Sequence, residues 1–155
     1  MNKEWTKEKI ASQNETATFA MGCFWGPDKF FSKLEGIVEV TVGYSGGDKD
    51  NPTYRNLGKH SETVQIIYDK DKITFEQLLE HFWQGHDPTA ERKNQYKSII
   101  FYHNPEQKEL AEKSKHEIQQ EIDQPIQTEI RPAEKFWPAE GYHQNYLEKH
   151  ERQYQ

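Results

Sequence analysis

The stretch TATFAMGCFWGPDKFFSKLEGIVEVTVGY, residues 16–44, indicates a strand, a helix and a second strand in direct succession. Residues 16–21 are short and apolar, and Gly22 ends the strand that they predict. Residues 26–28, Gly-Pro-Asp, are typical of a helix start, because proline is tolerated in the first turn and aspartate is favourable near the positive end of the helix dipole. Residues 37–44 alternate in character and are rich in β-branched side chains, which predicts the next strand.

The rest of the chain continues this alternation of elements. It predicts strands over residues 63–68 and 98–102 and an edge strand over 126–130, with helices starting at Thr74 and running over 106–120. The order strand–helix–strand–strand–helix–strand predicts an α+β fold, specifically a two-layer ferredoxin-like α/β plait with a C-terminal extension. We expect one domain over the whole chain, in which the first 14 residues form a segment that becomes ordered on docking.

The composition of the chain excludes several classes of protein. The 155 residues carry a net charge of −6 without a dense lysine or arginine run, which argues against nucleic-acid binding. No apolar run approaches the length of a membrane span, and the first residues lack the apolar core of a signal peptide. The seven histidines lack the spacing of a zinc helix, and one cysteine cannot form an internal disulfide or a thiolate zinc site. We therefore expect a cytoplasmic monomer without a bound metal.

The single cysteine, Cys23, lies at the predicted junction between the first strand and the first helix. Backbone N–H groups and the helix dipole at such a junction favour the thiolate, which is the nucleophilic form of cysteine. Phe24 and Trp25 follow directly, and their rings could wall a small apolar pocket beside the sulfur. From position alone, a buried core cysteine explains the same pattern equally well.

Several motifs together resemble the A-type methionine sulfoxide reductases, over nearly the whole stretch from Phe19 to Tyr146. They are, in order, Gly22-Cys23-Phe24-Trp25-Gly26, Gly43-Tyr44-Ser45-Gly46-Gly47, Asn51-Pro52-Thr53-Tyr54, His60-Ser61-Glu62, His86-Asp87-Pro88-Thr89, Gln95-Tyr96-Lys97-Ser98 and Ala139-Glu140-Gly141-Tyr142-His143-Gln144. This family has a plait-like α+β domain, which agrees with the order of elements above.

The resemblance implies a catalytic role for four residues. Cys23 would attack the sulfoxide sulfur, and Glu62 would protonate the sulfoxide oxygen. A carboxyl group that acts as an acid near neutral pH must be partly desolvated, so that its pKa rises. Tyr44 and Tyr96 match the two tyrosines whose hydroxyl groups hold the sulfoxide oxygen.

The resemblance also implies the substrate and its pocket. Phe24 and Trp25 match the aromatic walls that hold the S-methyl group, and the expected substrate is the S epimer of methionine sulfoxide, free or in proteins. The attack leaves Cys23 as a sulfenic acid, which a thiol can reduce. The implied role is the repair of oxidised proteins.

Two features of this chain depart from the family pattern. Many members carry resolving cysteines near the C-terminus, whereas this chain has only Cys23. It therefore resembles a one-cysteine form that needs an external reductant: thioredoxin, glutaredoxin or a low-molecular-weight thiol such as glutathione. The loop at residues 90–94 is also shorter than usual and lacks the supporting aspartate, so Glu91 or Asp87 substitutes for it or the function is lost from this loop.

Three other functions remain open from the residues alone. A Cys-His hydrolase would need a histidine beside Cys23, and His60 or His143 could serve. A peroxidatic thiol enzyme would prefer hydrogen peroxide to methyl sulfoxides. A small-ligand or regulatory module would not need the thiol, and plait-like domains also serve that purpose.

Overall fold

The computed structural model describes residues 13–144, so most of the N-terminal segment at residues 1–14 lies outside the described residues. Six strands and three α-helices lie within this range. The strands are β1 (Asn14–Met21), β2 (Ile37–Ser45), β3 (Ser61–Asp69), β4 (Ser98–Tyr102), β5 (Glu129–Pro132) and β6 (Trp137–Pro138). The helices are α1 (Trp25–Ser32), α2 (Phe75–Gln84) and α3 (Pro105–Glu121).

The described strands form one mixed sheet in the order β5-β4-β1-β3-β2-β6. All neighbouring strands are antiparallel except β4 and β5, which are parallel and are joined by α3. The parallel pair requires such a crossover, because a tight turn can join only antiparallel strands. The predicted α+β class and the predicted order of the first four strands and two helices are confirmed.

The main core lies between the sheet and the three helices. Phe19 of β1 is completely buried, and its ring centroid lies 6.1 Å from that of Phe31 in α1 and 5.0 Å from that of Phe82 in α2. Side chains alternate between the faces of a strand, so the next residue, Ala20, belongs to a small second cluster with Ile99 and others on the opposite face. Both faces of the central strands are therefore covered.

Local capping explains where the two longer helices begin. The Thr74 hydroxyl accepts a hydrogen bond from the Gln77 backbone N–H at 3.1 Å, and the Gln77 side chain accepts one from the Thr74 N–H at 2.9 Å. These two hydrogen bonds form a capping box at the start of α2, the helix predicted to begin at Thr74. Asn104 caps α3 in a similar way, and Pro105 occupies its first turn.

The C-terminal part of the described chain differs from the sequence prediction. Strand β5 begins at Glu129 rather than at residue 126, because the N–H of Gln127 binds the carbonyl of Pro88 instead of a neighbouring strand. The short strand β6 was not predicted, since it contains only two residues and one of them is proline. It pairs with β2 at Gly43, and this pairing carries the following residues across the edge of the sheet. Among the described helices, none has both the length and the apolar character needed to cross a membrane.

Candidate active site

Cys23 lies in the turn between β1 and α1, as predicted, and its side chain is exposed. Gly22 has a φ of +90°, a left-handed conformation that favours glycine. A Cβ atom there would stand 3.1 Å from Nη1 of Arg92, so the shortened loop lies against the residue that precedes the thiol. Because Cys23 is exposed, the alternative of a buried core cysteine is wrong.

The electrostatic surroundings of Cys23 raise the pKa of its thiol. Although the side chain reaches solvent, desolvation by the groups packed around the sulfur is the largest cause, and the nearby Glu62 carboxylate adds to it. The N–H of Trp25 donates a hydrogen bond to the sulfur and lowers the pKa, which is the contribution expected at a helix start. The predicted contribution of the backbone is therefore present, but desolvation and Glu62 outweigh it, so the pKa of the thiol in the free protein lies above its ordinary value.

Glu62, near the start of β3, is completely buried. Its Oε1 accepts a hydrogen bond from the Phe24 N–H at 3.2 Å, and its Oε2 accepts one from the Gln95 side-chain amide at 2.5 Å. Burial raises the pKa of Glu62, and the two hydrogen bonds oppose this shift without cancelling it. A carboxyl group in this environment can hold a proton beside Cys23 at a higher pH than an exposed glutamate.

The two tyrosines approach the pair of Cys23 and Glu62 differently. Tyr96 ends a short 3-10 helix, and burial, a hydrogen bond to Tyr54 and the charges of Glu62 and Cys23 together raise its pKa to about 12. Tyr44 is completely buried and stands opposite Glu62 in the antiparallel pairing of β2 and β3. Residues opposite each other in such a pairing share one face of the sheet.

An aromatic cluster covers one side of this site. Phe24 is 1% exposed, and Trp25 stacks on Tyr54 with an interplanar angle of 9°. The indole N–H of Trp25 donates to Nδ1 of His143 at 3.2 Å, and the His143 ring lies 4.5 Å from the Tyr54 ring. Of these four residues, the sequence argument assigned a pocket role only to Phe24 and Trp25.

Glu140 is a further residue of the site that the sequence argument did not single out. The Tyr44 hydroxyl donates to its Oε1 at 3.0 Å, and the Tyr54 N–H donates to its Oε2 at 3.4 Å. Its Oε2 also lies 3.9 Å from Nε2 of His143. Glu140 stands 96 residues from Tyr44 in sequence, so only the docking of β6 brings the two together.

The two acids considered as replacements for the missing aspartate are both exposed. Asp87 is exposed in the turn after α2 and accepts hydrogen bonds from Thr89, which lower its pKa. Glu91 is exposed in the shortened loop. The carboxylate that contacts one of the two tyrosines is instead that of Glu140.

Neither candidate histidine is arranged as a base for Cys23. Nδ1 of His60 accepts the Gly47 N–H at 2.9 Å, and its Nε2 donates to the Lys49 carbonyl at 2.7 Å. His143 uses Nδ1 to accept from Trp25 and turns Nε2 towards Glu140. Within residues 13–144, no group of three His, Cys, Asp or Glu side chains could hold a metal ion. Fold and site together define an α+β protein with an exposed thiol and a buried carboxyl group beside it.

Comparison with known proteins gives the family. The family model described as peptide methionine sulfoxide reductase matches residues 15–155. A peptide methionine sulfoxide reductase MsrA of Methanococcoides burtonii is 44% identical over 87% of this chain and 96% of its own length. The MsrA of Acidobacterium capsulatum is 46% identical over 86% of this chain and 93% of its own length. A Drosophila melanogaster peptide methionine sulfoxide reductase is 48% identical, and the matched region spans 54% of its length.

Solved structures agree with the sequence comparison. The reduced form of Mxr1 from Saccharomyces cerevisiae superimposes with a TM-score of 0.85 at 32% identity, covering 91% of this chain and 88% of that chain. Methionine sulfoxide reductase A of Corynebacterium diphtheriae gives a TM-score of 0.78 at 33% identity, and the match covers 88% of this chain and 75% of that chain. The chain belongs to the peptide methionine sulfoxide reductase family and is an oxidoreductase.

Proposed function

We propose that this chain reduces the S epimer of methionine sulfoxide, free or in proteins, through nucleophilic attack of Cys23 on the sulfoxide sulfur. The observation that carries this proposal is the position of a buried carboxyl group, Glu62, beside an exposed thiol. A sulfoxide sulfur becomes electrophilic only when its oxygen is protonated or strongly hydrogen-bonded, and Glu62 can supply that proton. The biological role that follows is the repair of oxidised proteins.

The proposed step conserves atoms and electrons. The Cys23 thiolate forms a bond to the sulfoxide sulfur, and the proton of Glu62 passes to the sulfoxide oxygen. The S–O bond of the substrate and the new S–S bond then break, while the oxygen, carrying its proton, bonds to the sulfur of Cys23 and gives a sulfenic acid. Of the four electrons in the two broken bonds, two form the new S–O bond and two remain on the substrate sulfur as a lone pair, so methionine is released as the reduced product.

The aromatic cluster and the tyrosines position the substrate for this attack. Trp25 is partly exposed and offers an apolar surface that suits the S-methyl group, whereas the Phe24 ring is buried and supports the cluster through contacts with Tyr44 and Tyr54. Tyr96 faces Cys23 and Glu62 and donates a hydrogen bond to the sulfoxide oxygen. Tyr44 can assist only when its hydroxyl turns from Glu140 to the substrate, because it donates to Glu140 in the free protein. Glu140 is therefore our candidate for the supporting acid, in place of Asp87 or Glu91.

Recycling of the enzyme needs a thiol from outside the chain, because the 155 residues contain one cysteine. The structure of Mxr1 in complex with Trx2, which superimposes with a TM-score of 0.67 at 28% identity, supports thioredoxin as a reductant. Glutaredoxin and low-molecular-weight thiols can perform the same reaction. The reductant acts as a second substrate, so the proposal needs no bound cofactor.

We also infer a finer description of the fold. The four central strands run in the order β4-β1-β3-β2 and alternate in direction, with α1 and α2 connecting them. This arrangement supports a ferredoxin-like α/β plait, to which α3, β5 and β6 are C-terminal additions.

The test of the proposed function is turnover of the separated S and R epimers of N-acetyl methionine sulfoxide methyl ester with excess dithiothreitol. We expect reduction of the S epimer alone by the wild-type protein and no reduction by the Cys23→Ser variant. Failure of folded wild-type protein with a free thiol to reduce either epimer would contradict the proposal. Turnover that survives in Cys23→Ser would contradict the mechanism.

A further inference from the structure

A cavity of about 360 Å³ opens next to the site. Its volume lies within the range of about 300–1,000 Å³ that is usual for small-molecule sites. Three cationic side chains line it, those of Arg55, Lys59 and Lys93, and no acidic side chain does. The same cavity is lined by Tyr54 and Gln95, which also belong to the site around Cys23.

The three cations are available to a ligand. Arg55, Lys59 and Lys93 are all exposed, and none of them has an ion-pair partner in the part of the chain that the structure describes. The chain as a whole carries a net charge of −6, so a group of three unpaired cations beside the thiol is a local exception. Such a group raises the local concentration of anions.

Two hydrogen-bonded links connect the cavity with the reacting groups. The Gln95 amide donates to Oε2 of Glu62, whose charge in turn affects the thiol of Cys23. Tyr54 is hydrogen-bonded to Tyr96 and stacks on Trp25. A ligand in the cavity therefore lies against the same side chains that surround the sulfur of Cys23.

We propose that this cavity binds the carboxylate groups of an anionic low-molecular-weight thiol, whose sulfur then reduces the sulfenic acid of Cys23. The inference rests on the proposed function, because only the proposed reaction produces a sulfenic acid in a chain without a second cysteine. The three exposed cations favour an occupant that carries carboxylate groups, and a reductant protein is one of the outcomes that the test distinguishes. The cations are binding residues and take no part in the attack on the sulfoxide.

The reaction proceeds in two balanced steps. The thiolate of the reductant attacks the sulfur of the Cys23 sulfenic acid, forms a mixed disulfide and releases hydroxide, which takes up a proton to become water. A second molecule of the same thiol attacks the mixed disulfide, releases the thiolate of Cys23 and leaves as a symmetrical disulfide. The two thiol molecules supply the two electrons that the sulfoxide consumed.

The test measures the second step apart from the first. One equivalent of the uncharged N-acetyl methionine sulfoxide methyl ester converts Cys23 to the sulfenic acid, and its rate of loss is then followed with mercaptosuccinate, 2-mercaptoethanol or cysteamine. The variant carries Arg55→Glu, Lys59→Glu and Lys93→Glu, and the control carries Lys33→Glu, Lys72→Glu and Lys113→Glu at exposed positions on other elements. The cavity variant and the control variant therefore have the same net charge.

We expect the cavity variant to react about tenfold more slowly than wild type with mercaptosuccinate, which corresponds to about 1.4 kcal/mol. Its rate with neutral 2-mercaptoethanol should be unchanged, and its rate with cationic cysteamine should be unchanged or faster. The control variant should match wild type with all three thiols. In wild type, 0.5 M NaCl should slow the reaction with mercaptosuccinate but not the reaction with 2-mercaptoethanol, because salt screens exposed charges.

Three outcomes would overturn the inference. Equal rates of variant and wild type with mercaptosuccinate would show that the cavity does not bind the thiol. If the cavity variant reacted more slowly than wild type with thioredoxin but equally fast with mercaptosuccinate, the cavity would be a contact site for a reductant protein. A defect only in the KM of acidic sulfoxide peptides would make it a substrate subsite. Failure of the proposed function is distinguishable, since the first step would then release no methionine.

Discussion

The thiol of Cys23 and the carboxyl group of Glu62 share one electrostatic environment. The charge of Glu62 raises the pKa of Cys23, so protonation of Glu62 removes one of the obstacles to forming the thiolate. In the proposed reaction, the reactive pair is a thiolate beside a carboxylic acid, and its proton-shifted counterpart is a thiol beside a carboxylate. The two pairs have the same net charge, and the substrate oxygen needs the proton that only the reactive pair can supply.

The substitution Glu62→Gln tests the acid at the residue scale. Glutamine keeps the shape of the side chain but cannot give up a proton, so kcat at neutral pH should fall by roughly 10²–10⁴-fold. The wild-type rate should decline as the pH rises through the raised pKa of Glu62, because the acid form is lost there. The variant should lack this decline in a kcat-against-pH profile measured with saturating dithiothreitol. Wild-type turnover by the variant would remove the acid role.

The two tyrosines are predicted to differ in importance. Both hydroxyl groups have a partner in the free protein, Tyr54 for Tyr96 and Glu140 for Tyr44, but the pKa of Tyr96 is raised by burial and by the charges of Glu62 and Cys23, the two reacting groups. We therefore expect Tyr96→Phe to lower kcat/KM by about tenfold or more, which is the effect of one lost hydrogen bond, and Tyr44→Phe to lower it less. Steady-state kinetics with the S epimer give both ratios. A larger loss in Tyr44→Phe would show that its hydroxyl leaves Glu140 and dominates the binding of the oxygen.

At the residue scale, the sequence predicted what lies next to Cys23 in the chain and missed what is brought there by folding. The helix start and the N–H of Trp25 follow from neighbouring residues, and the structure contains both. The burial that raises the pKa of Cys23 depends on groups distant in sequence, which local rules do not describe. Glu140 was overlooked for the same reason, since neither residue type nor spacing marks it as a contact of Tyr44, and His143 was considered as a base for Cys23 but is found on the indole N–H of Trp25.

At the scale of elements, the short strand β6 fixes the C-terminal side of the site. Gly43 of β2 pairs with Pro138, and the N–H of Ala139 donates to the Val42 carbonyl at 2.9 Å. The side chain of Gln144 adds hydrogen bonds to both backbone groups of Val42. These contacts hold the segment from Ala139 to Gln144, which includes Glu140, against the edge of the sheet.

The substitution Gly43→Ala should detach this segment. A Cβ atom at Gly43 would stand 2.2 Å from the carbonyl oxygen of Trp137, and such a contact forces the two strands apart. We expect faster hydrogen exchange over residues 137–144 and a lower kcat/KM for the S epimer. The matched control is Gly141→Ala, because an added Cβ there meets nothing within 4 Å. Unchanged exchange in Gly43→Ala would show that the edge adapts without losing β6.

The sequence predicted regular elements more accurately than elements that depend on contacts with distant segments. The strand at residues 98–102 has the predicted bounds, and the start of α2 at Phe75 follows from Thr74 and Gln77. Strand β6 could not be predicted, because its pairing depends on the close approach that Gly43 permits to a distant segment. The shift of β5 has a similar origin, in a hydrogen bond to a loop 39 residues earlier in the chain, at Pro88.

At the scale of the whole molecule, His86 links helix α2 to the sheet. Its Nδ1 donates to the Phe82 carbonyl at 2.8 Å, and its Nε2 accepts the hydroxyl of Ser98 in β4 at 2.7 Å. The Ser98 hydroxyl is also hydrogen-bonded to the hydroxyl of Thr128, just before β5. Burial lowers the pKa of His86 to about 4, from 6.5, because a charged ring would lose its hydration, and the nearby Arg92 charge adds to this shift.

This link predicts how stability depends on acid. The folded state keeps His86 neutral, so its contribution is complete above pH 6.5 and declines as the pH falls towards 4. At pH 4.5, the preference of folded His86 for its neutral form should have lowered the free energy of unfolding by roughly 2–3 kcal/mol relative to pH 7. Urea denaturation from pH 7 to 4.5 should therefore show a smaller loss in His86→Gln than in wild type. The exposed His116→Gln should behave like wild type, and equal losses in all three proteins would contradict the role of His86.

The central claim is that one thiol, Cys23, takes the oxygen of methionine sulfoxide without any other redox group in the chain. The most direct test is a single turnover in the absence of reductant, with methionine counted against protein and Cys23 trapped by dimedone for mass spectrometry. The account predicts about one methionine per chain, one dimedone adduct on Cys23, and neither product from Cys23→Ser. Methionine formed without an adduct on Cys23, or formed equally by Cys23→Ser, would contradict it.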